Sequence, residues 1–512
     1  MSAKSQISKT IASSWLSLVV VSACQLIMIP VALGALDKAD FALFAVISQM
    51  MMAIMLAEVG VRSACARLLI DARAKGDEKY NKVWMASVCV FCTQAAVMFL
   101  LVIGLAPFLE DIFHLSSEQR ELGRSIFLVV GVMNSLGYAL SVFSTALYAG
   151  QRLAHVNVVS AITGFIQLIA FTIAIKMGCQ LWAYPISMGV VSVCSNYMLI
   201  KQAFKYELVG KFGLKLIKLD EVKTVFSLGM DVFVAAMFSV VMGNSLLLFS
   251  GHLLSLEQTA MLAVNLKLVS MMTNILQRIP GSASPMLMKM VSEGNDNQFR
   301  VWWKLITKAT ISIALICAGM FVIWNKTVIE LWTSKEMVLG STAVILISLI
   351  PFRYLAHYQF VNSLTIFKEI RKVKWMLVWE VILYAGLAWA LAKQFGLVGL
   401  LSANLISMLG GALFVGMKWF AVYSKISYKV LMLLFIKLVI PLVLAFAVVY
   451  GVESWVDQGG FLVAIIMTGM WGGLSVAIGY IIILDETDRS HVHAFIETLK
   501  KRIVSKMAYN KV

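Results

Sequence analysis

Residues 156–200 read VNVVSAITGFIQLIAFTIAIKMGCQLWAYPISMGVVSVCSNYMLI, two apolar runs at 156–175 and 181–200 joined only by KMGCQ. A helix rises 1.5 Å per residue, so about 20 apolar residues cross the roughly 30 Å hydrocarbon layer of a bilayer. A joint this short sends the second run straight back. The stretch therefore predicts two neighbouring membrane spans.

The same template, carried outward, yields about fourteen segments. The first six lie at 11–33, 41–57, 83–105, 126–148, 156–175 and 181–200, and the next six at 225–248, 259–275, 305–324, 343–361, 375–391 and 397–415. Two more follow at 430–450 and 461–484. If the N-terminus is cytoplasmic, the inner loops and tails hold 32 of the 43 Lys and Arg residues and the outer loops hold 7. Short-loop Lys and Arg set orientation, which favours an even number of spans with both ends inside.

A mean hydropathy of +0.87 over 512 residues leaves no length for a soluble catalytic domain. The net charge of +16 sits at the inner membrane edge, where anionic head groups attract it, so nucleic acid is not expected as a partner. The basic start and the long apolar run after it, with no small-residue cleavage site, predict a retained first span rather than a signal peptide. Of the seven cysteines, Cys89 and Cys92 form a C-x-x-C on an apolar helix without neighbouring His or carboxylate, a pattern that reads as packing. No disulfide framework or metal site follows.

A shift of 218 residues lays the first six segments on the next six without a gap. Gly76 then meets Gly294, Gly178 meets Gly396, Trp84 meets Trp302, and Lys82 meets Arg300. Ala42, Ala45 and Val46 meet Ala260, Ala263 and Val264. Copies with an even number of spans run the same way through the membrane. Repeats of this kind mark transporters whose substrate site lies at the lobe interface. The expected fold is all-α and integral to the membrane, with two pseudo-symmetric six-helix bundles and two added C-terminal helices. Its parts are an N-lobe at 1–210, a C-lobe at 211–427, and spans thirteen and fourteen with a cytoplasmic tail at 428–512.

Leu33-Gly34, Asp40-Phe41-Ala42-Leu43-Phe44 and Glu58-Val59-Gly60-Val61-Arg62 resemble the opening of Wzx-type polysaccharide flippases. These belong to the multidrug/oligosaccharidyl-lipid/polysaccharide (MOP) exporter superfamily. Ala42 stands where that family has Gly, and Glu58 where it has Asp. Further echoes are Ala149-Gly150-Gln151-Arg152, Gly229, Ile279-Pro280 and Pro285. The resemblance implies a V-shaped, MATE-like pair of bundles in a bacterial inner membrane, with a cavity lined mainly by spans one, two, seven and eight. It also implies cargo: an undecaprenyl-pyrophosphate-linked oligosaccharide, moved from inner to outer leaflet by alternating access. Relatives carry the peptidoglycan precursor lipid or cationic drugs, and both remain open as alternatives.

Charges inside spans cost at least about 2.5 kcal/mol and usually face a cavity or a partner. Lys267, Lys308, Arg353 and Lys437 against Asp231 and Glu380 leave the predicted interior net positive, which suits a pyrophosphate and not a cationic drug. The candidate cavity residues are Lys267, its repeat mate Gln49, Arg353 with His357 one turn on, and Arg62 at an inner mouth. Arg353 is read either as a bidentate phosphate contact or as an ion pair with Glu380. Lys308 is read as snorkelling to the inner head groups. Asp231 and Glu380 are candidates for H⁺ or Na⁺ coupling or for charge pairing, and Lys437 for a lipid-facing groove. Pro30, Pro280 and Pro351 are proposed bending points, and Tyr138, Tyr354 and Tyr358 candidates for stacking on sugars.

No G-x-x-x-x-G-K-S/T, H-E-x-x-H, G-x-S-x-G or E-x-x-H pattern occurs, so neither enzyme chemistry nor a cofactor is expected. A membrane glycan polymerase or ligase would need large outer loops, whereas the longest here, around Glu110 to Arg124, carries a single His, His114. Expected partners are the lipid-linked oligosaccharide, membrane lipids and polysaccharide polymerase or assembly proteins, with the chain itself a monomer.

Overall fold

A computed structural model describes residues 3–54, 58–113, 117–226, 245–367, 369–455 and 461–483, and no strand occurs among them. The principal helices are α1 (Ala3–Leu33), α2 (Lys38–Ile54), α3 (Glu58–Ala74), α4 (Asp77–Leu105), α5 (Ser117–Ala149), α6 (Leu153–Lys176), α7 (Ala183–Lys205) and α8 (Leu256–Ser292). They continue as α9 (Asp296–Trp332), α10 (Ser341–Ser348), α11 (Ile350–Ile366), α12 (Ile370–Met408), α13 (Met417–Ser424), α14 (Tyr428–Trp455) and α15 (Phe461–Ile478). Two π-helical turns, Leu409–Gly416 and Gly479–Ile483, follow α12 and α15.

Among the described residues nine helical stretches are long and apolar enough to cross a membrane, and one of them, Arg371–Ser424, holds both spans predicted at 375–391 and 397–415. Of the predicted span 225–248, residues 227–244 lie outside the described residues. The chain is thus a multi-pass, all-helical membrane protein.

The duplication is written into the backbone. Gly76 (φ +101°) and Gly294 (φ +72°) take left-handed conformations 218 residues apart, as do Gly178 (φ +79°) and Gly396 (φ +56°). Glu207 (φ +52°) and Lys425 (φ +56°) form a third such pair without glycine. A left-handed residue just past a helix lets the next amides reach back to orphaned carbonyls. Gly178 N–H bonds Ile175 O at 3.0 Å and Cys179 N–H bonds Ala174 O at 3.0 Å, while Gly294 N–H bonds Val291 O at 3.2 Å and Asn295 N–H bonds Met290 O at 2.9 Å. Helix bounds repeat too: α2 opens at Lys38 and α3 closes at Ala74, and 218 residues later α8 opens at Leu256 and closes at Ser292.

The chain divides into two units. One holds Met1–Lys267, Trp332–Met337 and Val381–Asn404; the other holds Leu268–Leu331, Val338–Glu380 and Leu405–Val512. In the first, α1 packs on α6, α6 on α7, α4 on α5 and α5 on α7. Its core centres on Trp84, Phe91, Tyr138 and Leu208. Gly210 passes so close to Trp84 that a Cβ there would fall 2.7 Å from the indole, so only glycine fits. Tyr138 is buried, donates to Gln94 and lies beside Phe91, which makes it a core residue here.

The second unit is built on Trp303, Phe360, Phe420 and Trp471. Trp303 and Phe420 have ring centroids 4.3 Å apart, and the Trp303 indole donates to Ser363 Oγ at 2.7 Å. Of the two helices outside the duplication, α14 joins this core through Leu431, Phe435 and Leu438, and α15 through tryptophans. The Trp471 indole on α15 donates to Ile316 O on α9 at 2.8 Å, and the Trp324 indole on α9 donates to Thr468 Oγ1 on α15 at 2.7 Å. Gly319 supplies the close approach, since a Cβ there would sit 2.4 Å from the Trp471 ring. Trp471→Ala empties a fully buried site and is expected to cost about 3–5 kcal/mol. Unfolding of the full chain in detergent measures the loss, and an unchanged midpoint would mean that α15 is held elsewhere.

Candidate functional site

The sequence Ile350-Pro351-Phe352-Arg353 opens α11 just past a break at Leu349, with Pro351 in the first turn. Proline is pre-shaped for that position because the missing N–H would be unpaired there anyway. Four residues separate Arg353 from His357, so both side chains leave the same face of α11. That face meets Glu380 on α12.

Glu380 is fully buried, Arg353 is 3% exposed and His357 is 7% exposed. The Arg353 guanidinium donates to Glu380 Oε1 at 2.6 Å. His357 Nδ1 stands 2.8 Å from Oε2 but off the angle of a hydrogen bond, and among the described residues neither ring nitrogen nor Oε2 has a hydrogen-bond partner. Burying a polar atom without a partner costs free energy, and these atoms are several of a larger set among the described residues. Behind the carboxylate runs the π-helical turn Leu409–Gly416. A Cβ on Gly411 would lie 2.7 Å from Glu380 Cβ and 2.9 Å from Oε2. Glycine therefore lets the turn close over the acid. Arg353 thus makes the ion pair with Glu380 that the sequence offered as one of its two roles.

Lys267, on α8, is partly buried, and its ammonium donates to Gln25 Oε1 on α1 at 2.7 Å. Gln49, on α2, is also partly buried, with Oε1 lacking a hydrogen-bond partner among the described residues. Arg62 is exposed on α3. Lys437 faces outward from α14 and shares a cavity with Lys304 and Lys308. Asp231 lies outside the described residues. Pro30 sits inside α1 and Pro280 is buried inside the unbroken α8; of the three proposed bending points, Pro351 marks a break between helices. Tyr354 and Tyr358 are partly buried on α11.

Two of these positions escaped the sequence reading. Gln25 was visible only as an amide inside an apolar run, and Gly411 only as half of a Gly-Gly pair. Neither signal says what the residue will touch.

The chain resembles known proteins in sequence and in fold. Residues 8–291 match the profile of the polysaccharide biosynthesis protein family, more than half of the 512-residue chain. No curated protein matches it in sequence. The fold is similar to that of the lipid II flippase MurJ in an inward closed conformation, with a TM-score of 0.69, 14% identity, and 92% of this chain and 98% of that one covered. An inward-facing multidrug resistance MATE family transporter of the MOP superfamily aligns with a TM-score of 0.63 at 11% identity, over 81% of this chain and 99% of that one. A MOP superfamily transporter from Pyrococcus furiosus, described as having a binding pocket of reversed polarity, aligns at 0.57 and 12% identity, over 82% of this chain and 96% of that one. With the sequence profile and the fold in agreement, the chain belongs to the polysaccharide biosynthesis protein family and carries the fold of the MOP superfamily.

Proposed function

We propose that this protein is a flippase that carries an undecaprenyl-pyrophosphate-linked oligosaccharide, a repeat unit of O-antigen or exopolysaccharide, from the inner to the outer leaflet. The observation that carries the reading is the polysaccharide biosynthesis match over residues 8–291 in a multi-pass chain with a transporter fold. The chemistry of the spans supports it. With Arg353 matched by Glu380, Lys267 and Arg62 are the proposed pyrophosphate contacts, and Gln49 offers an amide to the same head group.

The motion proposed is alternating access between the two sequence-related lobes, 1–210 and 211–427, with Pro30, Pro280 and Pro351 as bending points. The energy source would be an ion gradient. His357 and Glu380 form its proposed proton-handling centre, because gain or loss of a proton by an imidazole 2.8 Å from the carboxylate alters the charge of a buried site. Asp231 is a second proposed coupling acid. Location in a bacterial inner membrane with cytoplasmic termini, a monomeric state, and contact with polysaccharide polymerase or assembly proteins complete the proposal.

The test is deletion followed by measurement of the lipid-linked oligosaccharide in each leaflet. Accumulation in the inner leaflet is the expected result, with Lys267→Met lowering delivery about tenfold, the effect of losing roughly 1.4 kcal/mol of head-group binding. Normal outer-leaflet delivery in the deletion strain would overturn the proposal. Altered cationic dye efflux with intact surface glycan would favour drug export, and loss of outer-leaflet peptidoglycan precursor would favour that cargo.

A further inference from the structure

Pro30 stands inside α1, in a stretch, Ala12–Leu33, that is long and apolar enough to cross the membrane. Proline carries no N–H, so the bond that residue 30 would make to the carbonyl of Leu26, one turn back, cannot form. Hydrocarbon offers no water to replace it. A carbonyl opened in this way is tolerated where a neighbouring helix supplies a donor. Here the donor comes from 306 residues away: the indole of Trp332, the last residue of α9, donates to Leu26 O at 3.0 Å. The hydrogen bond that proline removes from α1 is thus returned from another helix.

The same turn of α1 carries a second tie. Gln25, next to Leu26, accepts the Lys267 ammonium at 2.7 Å. Lys267 and the segment Trp332–Met337 both fall in the first unit, which also holds α1. Two more contacts fasten that segment there: the buried Asn265 amide donates to Met337 O at 3.2 Å, and Glu336 pairs with Lys38 at 3.0 Å. The ion pair is exposed and contributes little. The indole is therefore the tie that acts on α1 itself, one residue from the amide that meets Lys267. We propose that Trp332 is a positioning residue for transport: its N–H stands in for the amide that Pro30 lacks, holds the 25–30 turn of α1 in line, and so keeps Gln25 on Lys267. The consequence for cargo rests on the flippase reading, in which Lys267 meets the pyrophosphate; the tie between Trp332 and α1 does not.

The experiment is a double-mutant cycle on the full chain in detergent, read by amide hydrogen exchange in the peptides that span Pro30. Trp332→Phe keeps an aromatic ring and loses the N–H. In the native background it should speed exchange about tenfold, the effect of an acceptor left without its donor. Pro30→Ala restores the backbone amide, so in that background the same Phe substitution should change exchange by less than about twofold. Because the second comparison repeats the substitution with the carbonyl satisfied, a general loss of folding would show in both. Equal acceleration in the two backgrounds, or none in the native one, overturns the tie. Leaflet delivery tests the positioning. Lys267→Met, expected to lower delivery about tenfold in the native protein, should lower it less than about threefold once Trp332 is Phe, since the lysine is then already misplaced. An undiminished Lys267→Met effect in Trp332→Phe overturns the positioning role. Exchange is read without cargo, so failure of the flippase reading leaves the cycle standing, and failure of the cycle leaves the flippase reading standing.

Discussion

Glu380→Ala is expected to lower the unfolding free energy by about 3–5 kcal/mol, the loss seen when one member of a buried ion pair is removed. The reason is the partner left behind: Arg353 is 3% exposed and loses the carboxylate it meets at 2.6 Å. A guanidinium cannot escape by releasing its proton. Glu380→Gln keeps the volume and loses the charge, so most of the same penalty should appear. Replacing both residues with methionine should recover most of the stability, because a well-packed apolar pair is often no worse than a buried ionic one. Denaturant titration of the full chain in detergent reads all three variants. If Glu380→Ala unfolds at the native midpoint, the pair does not hold α11 to α12. Transport separates packing from coupling: the double methionine variant should be stable, yet deliver cargo independently of the ion gradient.

The second large effect is expected at Gly399→Ala. Helix α12 is broken at Gly396, whose φ of +56° and ψ of −134° form a corner. Beyond that corner the chain runs so close to itself that a Cβ on Gly399 would lie 2.0 Å from Leu391 O. A clash with backbone cannot be relieved by turning a side chain, so the corner must open, at a cost of about 3 kcal/mol or more. Gly386 is the control: it lies in the same helix with nothing within 4 Å of a built Cβ. Gly386→Ala should raise stability by up to about 1 kcal/mol through helix propensity. Opposite shifts in melting temperature are the expected result, and equal shifts would refute the argument from the corner.

Much of this architecture is legible before any coordinates. Span length follows from bilayer thickness, and the repeat from a constant offset, which is why Gly76, Gly178, Gly294 and Gly396 could be paired and then appeared as the four described glycines with positive φ. The spacing of Arg353 and His357 put them on one helix face, and Glu380, as an acid in the next span, was a natural partner. Side-chain contacts across long sequence distances were not legible. Lys267 and Gln25 are 242 residues apart, and nothing local to either specifies the other. Lys304 carried no signal in the sequence, and only packing placed it beside Lys308 and Lys437. The π-turn over Glu380 is likewise set by close approach of two helices, which Gly410-Gly411 permits without requiring.

The tryptophan contacts also govern how the molecule is made. Trp324 and Thr468 are 144 residues apart, and Trp471 and Ile316 are 155 apart. At a synthesis rate of about 5–20 residues per second, α9 waits roughly 7–30 seconds in the membrane before its partners Thr468 and Trp471 are made. For that interval the face of α9 at Gly319 lacks the Trp471 ring that covers it in the folded protein. Stalling or truncation ahead of Trp471 should therefore yield a nascent chain that quality-control proteases recognise, and the final two spans act as the closing step of biogenesis for the second unit.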